Sequence, residues 1–301
     1  MAELASRHGA LADIVPRGAP VIYADVPVHY NVGDLLIHAG TEALAARHGW
    51  RVTHRFSVHD YRHFLDAVTD EHVLLLHGGG NLGDLWPEHE ALRQLLLRRF
   101  RNKTVVLPQS MHFQDRAAAE SCGEAYREHP DCTLFVRDDA SRRVAGAWMG
   151  VSCEIMPDMA HALWRSKALS SGASGTGELL MRRTDQEAPG GRPMEGMDWN
   201  DILTRPDRLL LRALVEGMGR NRSPALQRLM ANAWRAQAAR LVGRAAALFG
   251  RHARIRSDRL HAVLLGCLLD KNVAAIDNSY GKLSSYFDTW MPGMVPVAGR
   301  A

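Results

Sequence analysis

Short apolar runs alternate with longer amphipathic stretches along this chain, and that alternation limits the possible folds more than any other feature. Two helical stretches, near Leu35–His48 and Pro87–Arg101, lie between strands predicted in the first half. Those strands are Val21–Ala24, Arg51–Phe56, Val73–His77, Thr104–Leu107, Thr133–Val136 and Cys153–Met156. Strands joined by helices of this length form βαβ units and a mostly parallel sheet. The first half is therefore predicted to be α/β.

The second half has the same character and begins after a stretch rich in glycine and serine. Ser170–Gly177 has the composition of a linker. The elements predicted beyond it are a strand at Glu178–Arg183, a long helix at Pro224–Phe249, and a final βαβ unit made of Arg254–Ser257, Asp258–Leu269 and Val273–Ile276. We expect two Rossmann-like α/β lobes, residues 1–168 and 169–301, with a C-terminal tail that can pack back on the first. Their cleft is the expected active site.

Composition excludes several classes of protein. The 301 residues are 46% hydrophobic and 23% charged, which is typical of a globular chain that needs no disulfide or metal to fold. The cysteines Cys122, Cys132, Cys153 and Cys267 show no metal-binding spacing, so we expect them to be reduced. We find no signal peptide, and no apolar run approaches the roughly 18–20 residues that cross a bilayer. These features predict a soluble, cytoplasmic protein.

Positive charge is concentrated in one region of the sequence. The formal net charge is only +4, but residues 205–259 contain 13 arginines and three acidic residues. A solvated helix face is one interpretation of this region. The other is attraction to anionic lipid headgroups or to a pyrophosphate-linked substrate, which predicts peripheral contact with the inner membrane. Few aromatic residues lie among these arginines, so nucleic acid is not an expected partner.

Four polar clusters follow predicted strands, at the edge where open α/β sheets bind ligands. The clusters are Asn31–Asp34, His77–Asp84, Phe135–Asp139 and Arg256–His261. In the first, a glycine at position 33 lets backbone approach a ligand, while Asn31 and Asp34 can bind hydroxyls or cap the following helix. In the second, three consecutive glycines give backbone N–H groups room to face an anion or a sugar. We interpret His77 as a buried histidine rather than a catalyst.

The two remaining clusters carry arginine. Arg137 can present a fork of donors suited to carboxylate or phosphate, although an ion pair with Asp138 or Asp139 would also explain it. In the last cluster, Ser257 or Asp258 is expected to cap a helix whose first turn carries Arg259 and His261. This arrangement combines oriented N–H groups, a bidentate cation and a proton donor. Further along, Asn278, Tyr280 and Lys282 can reach the same rim.

From the residues alone we expect a two-lobed enzyme. It would bind a small dianion or trianion against Arg137, Arg259 and a helix start, with His261 as the acid or base. Nothing in these residues names the reaction.

Seven segments of the sequence, taken in order, resemble the polysaccharide pyruvyl transferase family, and most closely its bacterial exopolysaccharide members. They are Asn31–Asp34, Leu76–Asp84, Leu107–Ser110, Phe135–Asp138, Met156–Asp158, Ser257–His261 and Asp277–Phe287. The last two segments carry most of the specificity. The resemblance implies a fold similar to two-domain GT-B glycosyltransferases and transfer of pyruvate from phosphoenolpyruvate to a sugar. The implied product is a cyclic pyruvate ketal that bridges two hydroxyls.

The resemblance also implies roles for residues. Arg137, Arg259 and His261 would hold and activate phosphoenolpyruvate. The full donor set is Arg137, Ser257, Arg259, Leu260, His261, Asn278 and Lys282. The acceptor set, inferred from position in the first lobe, is Asn31, Gly33, Asp34, Gly79, Gly80, Asn81, Asp84 and Gln109. No cofactor and no metal site are expected, a divalent ion is left open, and the acceptor is expected to be a lipid-linked saccharide at the inner face of the membrane.

Two other functions fit the same residues. Arg259 and His261 could grip the phosphates of a nucleotide sugar, which would make the chain a GT-B glycosyltransferase. The chain could also be a non-catalytic sugar- or anion-binding partner in polysaccharide assembly. Whether the protein binds phosphoenolpyruvate or a nucleotide sugar distinguishes these alternatives. The acceptor sugar, the position of the ketal and the oligomeric state are not predicted.

Overall fold

The strands of the computed structural model, which describes residues 1–169, 175–184, 196–277 and 281–298, form two parallel sheets. The first sheet has the order β2-β1-β3-β5-β6-β7, with β4 beside the second half of β5. Its strands are β1 Pro20–Ala24, β2 Arg51–Phe56, β3 Val73–Leu76, β4 Gly79–Gly83, β5 Thr104–His112, β6 Cys132–Val136 and β7 Glu154–Ile155. The predicted parallel α/β architecture is thereby confirmed for this part of the chain.

The second sheet has the order β11-β10-β9-β8, again with parallel neighbours. Its strands are β8 Glu178–Met181, β9 Arg254–Ser257, β10 Asn272–Ile276 and β11 Val297–Ala298. The helices are α1 Ala2–Arg7, α2 Leu11–Ile14, α3 Val32–His48, α4 Pro87–Arg99, α5 Arg116–Glu128, α6 Asp139–Val144, α7 Arg205–Arg220, α8 Pro224–Gly250, α9 Leu260–Leu268 and α10 Lys282–Trp290. None of the helices in these described ranges has the length and apolarity that crossing a bilayer requires.

Two local predictions are corrected by the structure. The glycine-rich segment after β3 is a strand, β4, rather than a loop, because β5 runs on past Leu107 and offers its backbone to Gly79–Gly83. Gly83 makes this pairing possible: its φ is +124°, and a Cβ there would lie 1.8 Å from the His112 carbonyl oxygen. The helix predicted from Asp258 begins instead at Leu260.

The apolar side chains of the first sheet alternate between its two faces, as the pleat requires. Ile22, Leu74 and Val106 point to a core shared with α4 and α5. Tyr23 and Leu75 belong to a larger core that includes α3, α8 and α9 and continues into the second sheet. Buried apolar contacts therefore connect the two sheets. The division into domains at residues 168 and 169 stays a prediction, since residues 170–174 lie outside the described ranges.

Helix α10 packs against the first sheet's side of the molecule, although it follows the second sheet in sequence. The indole Nε1 of Trp290 donates a hydrogen bond of 2.7 Å to the carbonyl oxygen of Arg137. The backbone N–H groups of Asp139 and Asp158 donate to the hydroxyls of Thr289 and Tyr286 at 3.3 and 3.1 Å. The last helix thus supports the segments that carry the polar site.

Gly40 allows α3 to approach the segment that follows β7. A Cβ at this position would lie 2.0 Å from the carbonyl oxygen of Met159, a contact that real structures do not contain. Gly40→Ala must separate the two segments, so we expect the free energy of unfolding to fall by at least about 1–3 kcal/mol. Gly243→Ala on α8 is the matched control, because nothing lies within 4 Å of its added methyl group. The control should gain about 0.5–1 kcal/mol from helix propensity. If urea denaturation gave the same change in the free energy of unfolding for both variants, the close packing at Gly40 would be refuted.

The pH dependence of stability provides a second test of the core. His38 on α3 stacks on Tyr23, and its burial lowers its pKa from 6.5 to about 4. Between these values the unfolded chain binds a proton that the folded chain does not, so stability falls as the pH drops below 6.5. His38→Gln removes this linkage. Denaturation at several pH values should give a slope shallower than wild type by up to about 1.4 kcal/mol per pH unit. Equal slopes of stability against pH in the two proteins would contradict this role of His38.

Candidate active site

The carboxylate of Asp158 joins an arginine from the first sheet to a histidine from the second. Its Oδ2 lies 2.6 Å from Arg137 Nη1 and 3.1 Å from His261 Nε2. Arg137 follows β6, and His261 lies in the first turn of α9, after β9. One oxygen atom therefore binds two residues that are more than 120 positions apart in sequence, and it fixes the ring orientation of His261.

Asp158 is held rigidly by the chain around it. Its side chain is fully buried, and Oδ1 accepts a hydrogen bond from the N–H of Ala160 at 2.9 Å, which caps the short 3₁₀-helix Met159–Leu163. The Tyr286 hydroxyl accepts from the N–H of Asp158 and lies 2.8 Å from His161 Nε2. Burial alone would raise the pKa of Asp158, but the charges of His261 and Arg137 and its hydrogen bonds bring that pKa below the usual aspartate range. These partners therefore favour the ionised form of Asp158.

The Arg137 side chain is oriented by two contacts, with Ser110 and Asp158, and its pairing differs from both alternatives that the sequence suggested. Its Nε donates to Ser110 Oγ at 2.9 Å, and Ser110 donates in turn to Asp138 Oδ2 at 2.5 Å. Asp138 also accepts from the N–H of Ser141 and caps α6. The ion-pair partner of Arg137 is thus Asp158, whereas Asp138 acts through Ser110.

Arg259 is paired in a similar way. Its Nε and Nη2 lie 2.5 and 2.6 Å from the two carboxylate oxygens of Asp198, a bidentate arrangement. Asp198 also accepts from the Thr184 hydroxyl and from the N–H of Trp199, at 2.7 Å each. Burial would raise the pKa of Asp198, but Arg259 and these donors lower it. Both arginines are therefore backed by ionised, buried aspartates.

The start of α9 differs in detail from the predicted cap. Arg259 is the residue before the helix, and its N–H donates to Ser257 Oγ at 2.9 Å. Asp258 does not cap α9; its carboxylate accepts from the N–H of Arg183 at 2.8 Å and lies 3.5 Å from Arg182. The tight turn at Ser257 directs Arg259 and His261 to the same side.

These groups open onto one cavity of about 490 Å³, which lies between the two sheets. Its polar and aromatic lining comprises His29, Tyr30, Asn31, Asp34, His59, Asn81, Trp86, Glu88, His89, Arg137, Arg183, Thr184, Asp198, Trp199, Asn200, Arg259 and His261. Val26, Val28, Val58, Gly80, Leu260 and Leu283 complete it. The volume lies within the range of about 300–1,000 Å³ that is usual for small-molecule sites.

Gly33 sets the distance between α3 and His261. A Cβ on Gly33 would lie 2.8 Å from His261 Nδ1 and 3.0 Å from His261 Cβ. Asn31 caps α3 by accepting from the N–H of Gly33 at 3.0 Å, and its amide donates to Asp34 Oδ2 at 2.8 Å. The starts of α3 and α9 thus meet at the cavity. Nδ1 of His261 has no hydrogen-bond partner among the described residues.

Several predicted site residues support the cavity without lining it. Gly33 and Gly79 lie behind it, and Ser257 is fully buried beneath Arg259. Gln109 is also fully buried and donates to the His77 carbonyl at 2.6 Å. Asp84 accepts from the N–H of Gln114 at 2.6 Å, beyond β4. Asn278 and the side chain of Lys282 lie outside the described part of the structure, as does Tyr280.

Sequence reasoning missed a second histidine–aspartate pair in the same cavity. His89, in the first turn of α4, lies 2.6 Å through Nδ1 from Oδ1 of Asp25, the residue that follows β1. It also missed Asp158 and Asp198 as partners of the arginines. Only Asp158 gave any signal, since it ends one of the segments used for the family resemblance.

Within the described ranges, no group of three or more histidine, cysteine, aspartate or glutamate side chains is arranged to hold a metal ion. The acidic and basic groups of the cavity are instead arranged as pairs. Such pairs can bind an anionic ligand and transfer protons to it.

Comparison with known proteins identifies the family. The model of the polysaccharide pyruvyl transferase family matches residues 31–280. EpsO of Bacillus subtilis (strain 168) is 32% identical, over 98% of this chain and 92% of its own length. Pyruvyl transferase 1 of Schizosaccharomyces pombe is 30% identical, over 89% of this chain and 68% of its own length. An uncharacterized protein from Klebsiella pneumoniae has the same fold, with a TM-score of 0.65 at 17% identity and coverage of 97% and 96% of the two chains. This chain belongs to the polysaccharide pyruvyl transferase family.

Proposed function

We propose that this chain transfers pyruvate from phosphoenolpyruvate to two hydroxyls of a saccharide and releases phosphate. The product is a cyclic pyruvate ketal. The observation that carries the proposal is the convergence of Arg137, Arg259 and His261, each anchored by a buried aspartate, on one cavity. Membership in the family supports pyruvyl transfer, and the physical character of the site supports an anionic donor.

The two arginines suit the two charged ends of phosphoenolpyruvate. A carboxylate and a phosphate each accept two parallel hydrogen bonds from a guanidinium, and Arg137 and Arg259 come from opposite sheets. The aspartate behind each arginine offsets part of its charge and fixes its direction. Arg183 lines the same cavity and adds a third guanidinium to the donor end. In this proposal Leu260 supplies an apolar contact for the enol carbon.

His261 is the proposed acid. Asp158 holds Nε2, so a protonated ring carries its second proton on Nδ1, the ring nitrogen beside Gly33 at the start of α3. Delivery of that proton to the methylene carbon C3 creates an oxocarbenium-like centre at C2. Asp158 stabilises the protonated ring before the transfer, in the way that an aspartate supports a catalytic histidine in other enzymes.

The atoms and charges of this reaction balance without a cofactor. The first hydroxyl oxygen bonds to C2 while C3 gains a proton and becomes the methyl group. The second hydroxyl then displaces phosphate from C2 and closes the ring. Of the two hydroxyl protons, one replaces the proton given to C3 and the other leaves on hydrogen phosphate.

The acceptor is proposed to enter from the first sheet's side. Asn31, Asp34, Gly80 and Asn81 line that side of the cavity and offer amide, carboxylate and backbone groups for sugar hydroxyls. Residues 1–168 would then form an acceptor lobe and residues 169–301 a donor lobe, in the manner of GT-B enzymes, with the cavity as their cleft. Gly33, Gly79, Asp84 and Gln109 would shape this side from behind.

A lipid-linked acceptor is the form that the surface favours. Leu209 and Leu229 on α7 and α8 are 60% and 64% exposed, among exposed arginines. Arg208 stacks on Tyr30, a residue of the cavity wall, so this surface adjoins the opening. Exposed leucines with arginines are typical of surfaces that bind anionic membranes. Peripheral contact with the inner face of the cytoplasmic membrane follows from this proposal.

Donor choice is the first test. Calorimetric titration should detect binding of phosphoenolpyruvate and none of UDP- or CMP-sugars, because the paired arginines match a carboxylate and a phosphate. Binding of a nucleotide sugar alone would favour a GT-B glycosyltransferase. Anion binding without any turnover on saccharide acceptors would favour a non-catalytic partner.

Two substitutions separate binding from proton transfer. Arg259→Ala should weaken phosphoenolpyruvate binding by about 10- to 100-fold, the value of a lost charge-assisted contact. His261→Ala should keep most of the binding but lose about 10²- to 10⁴-fold in turnover. Arg116→Ala is the matched control, since Arg116 is exposed on α5 and outside the cavity. Unchanged turnover in His261→Ala would remove His261 from the mechanism.

A further inference from the structure

The cavity contains a second histidine whose ring is fixed by a buried carboxylate. Asp25 is 1% exposed, and its Oδ1 lies 2.6 Å from His89 Nδ1. The side chain of His89 is 12% exposed and lines the cavity. Its Nε2 has no hydrogen-bond partner among the residues that the structure describes. The arrangement parallels that of His261 and Asp158, although the nitrogen facing the carboxylate is different.

The backbone at Asp25 is specialised for this contact. Its φ is +62°, a left-handed conformation that costs about 1–2 kcal/mol for most residues and that aspartate and asparagine tolerate best. The residue directly follows β1, at the edge of the sheet where Asn31 and Asp34 also lie. Strained backbone at such a position is typical of functional sites.

A buried arginine ties this pair to the proposed acceptor side. Arg93 is fully buried, and its Nη1 lies 3.7 Å from Asp25 Oδ2. Its Nη2 donates to the backbone oxygen and the side-chain oxygen of Asn81 at 2.6 and 2.9 Å. Asn81 lines the cavity. The second pair therefore belongs to the wall where the saccharide is expected to bind.

Ketal formation needs a proton acceptor that is distinct from His261. When His261 gives its Nδ1 proton to C3, the attacking hydroxyl must lose its own proton, and Nε2 of His261 is occupied by Asp158. Of the carboxylates in the predicted acceptor set, Asp84 lies outside the cavity lining, and Asp34 is engaged by the amide of Asn31. His89 offers a ring nitrogen that is not engaged.

We propose that His89 is the general base that removes the proton of the attacking acceptor hydroxyl, with Asp25 as its positioning residue. This inference rests on the proposed pyruvyl transfer. As the hydroxyl oxygen bonds to C2, its proton passes to Nε2 of His89 while C3 takes a proton from His261. A proton then returns from His89 to His261 through solvent, and the second hydroxyl proton leaves on hydrogen phosphate. Both histidines end in their starting state.

The charges around His89 suit a base. The groups that act on it are Asp25 at the end of β1, Glu88 and Arg93 on α4, and the cavity residue His29 together with the buried His77. Burial alone would lower the pKa of His89, but the hydrogen bond and the charge of Asp25 raise it above the ordinary value. A neutral His89 is thus a stronger proton acceptor than a free imidazole.

The test compares His89→Gln with wild type at saturating phosphoenolpyruvate and acceptor. We expect kcat to fall about 10²-fold or more, with the affinity for phosphoenolpyruvate unchanged in calorimetry. Imidazole added to His89→Ala should restore part of the rate. His48→Gln, a partly buried histidine in the last turn of α3 outside the cavity, is the matched control and should behave as wild type.

Asp25→Asn tests the positioning role separately, since asparagine accepts the same backbone conformation. Loss of the carboxylate should lower the pKa of His89, so the acidic limb of the kcat profile should move to lower pH and the plateau should fall. An unchanged profile would refute the role of Asp25.

Two further outcomes distinguish a failure of the base role of His89 from a failure of the proposed pyruvyl transfer. Wild-type kcat in His89→Gln, or a change confined to the acceptor KM, would show that His89 is no base while leaving pyruvyl transfer intact. Wild-type protein that binds phosphoenolpyruvate but transfers nothing to any saccharide would overturn the proposed function, and the base role with it.

Discussion

The buried carboxylate of Asp158 is the interaction on which the rest of the site depends. A lone ionised group in this position would be strongly destabilising, and it is stable because Arg137 and His261 share its Oδ2 at 2.6 and 3.1 Å. Those two partners come from different sheets, so the same contact that neutralises the charge also joins the two halves of the cavity. Removing Asp158 or Arg137 leaves the other charge buried without its ion-pair partner, whereas removing His261 leaves the pair of Asp158 and Arg137 intact. The segment after β7 is held against α3 at Gly40 and against α10 at Tyr286, which explains how one side chain can be placed so accurately.

The cavity repeats one physical device. Four of the arginine and histidine side chains of the site are each paired with a buried aspartate that fixes the direction of the side chain. Asp198 does this for Arg259, Asp158 for Arg137 and His261, and Asp25 for His89. The arrangement limits the excess positive charge, so the site would discriminate among anions by geometry more than by attraction alone. A donor with a carboxylate and a phosphate at a fixed separation suits such a site.

Much of this architecture could be predicted from the sequence, because strand ends and helix starts carry local signals. The apolar runs predict the parallel sheets, and the sequence alone places Arg137, Arg259 and His261 just after strand ends. The glycine-rich strand β4 could not, since its pairing depends on the length of β5. The partners Asp158, Asp198 and Asp25 were also missed, because an aspartate 21 or 61 positions away from its arginine leaves no periodic pattern. Tertiary pairing decides those contacts.

The most direct test of the account is the structure of the protein with phosphoenolpyruvate bound. We expect the carboxylate and phosphate to contact Arg137 and Arg259, with C3 within about 3.5 Å of Nδ1 of His261, as proton transfer requires. We also expect Asp158 to keep its contact with Nε2. A donor bound away from both arginines, or with C3 turned away from His261, would contradict the proposed chemistry.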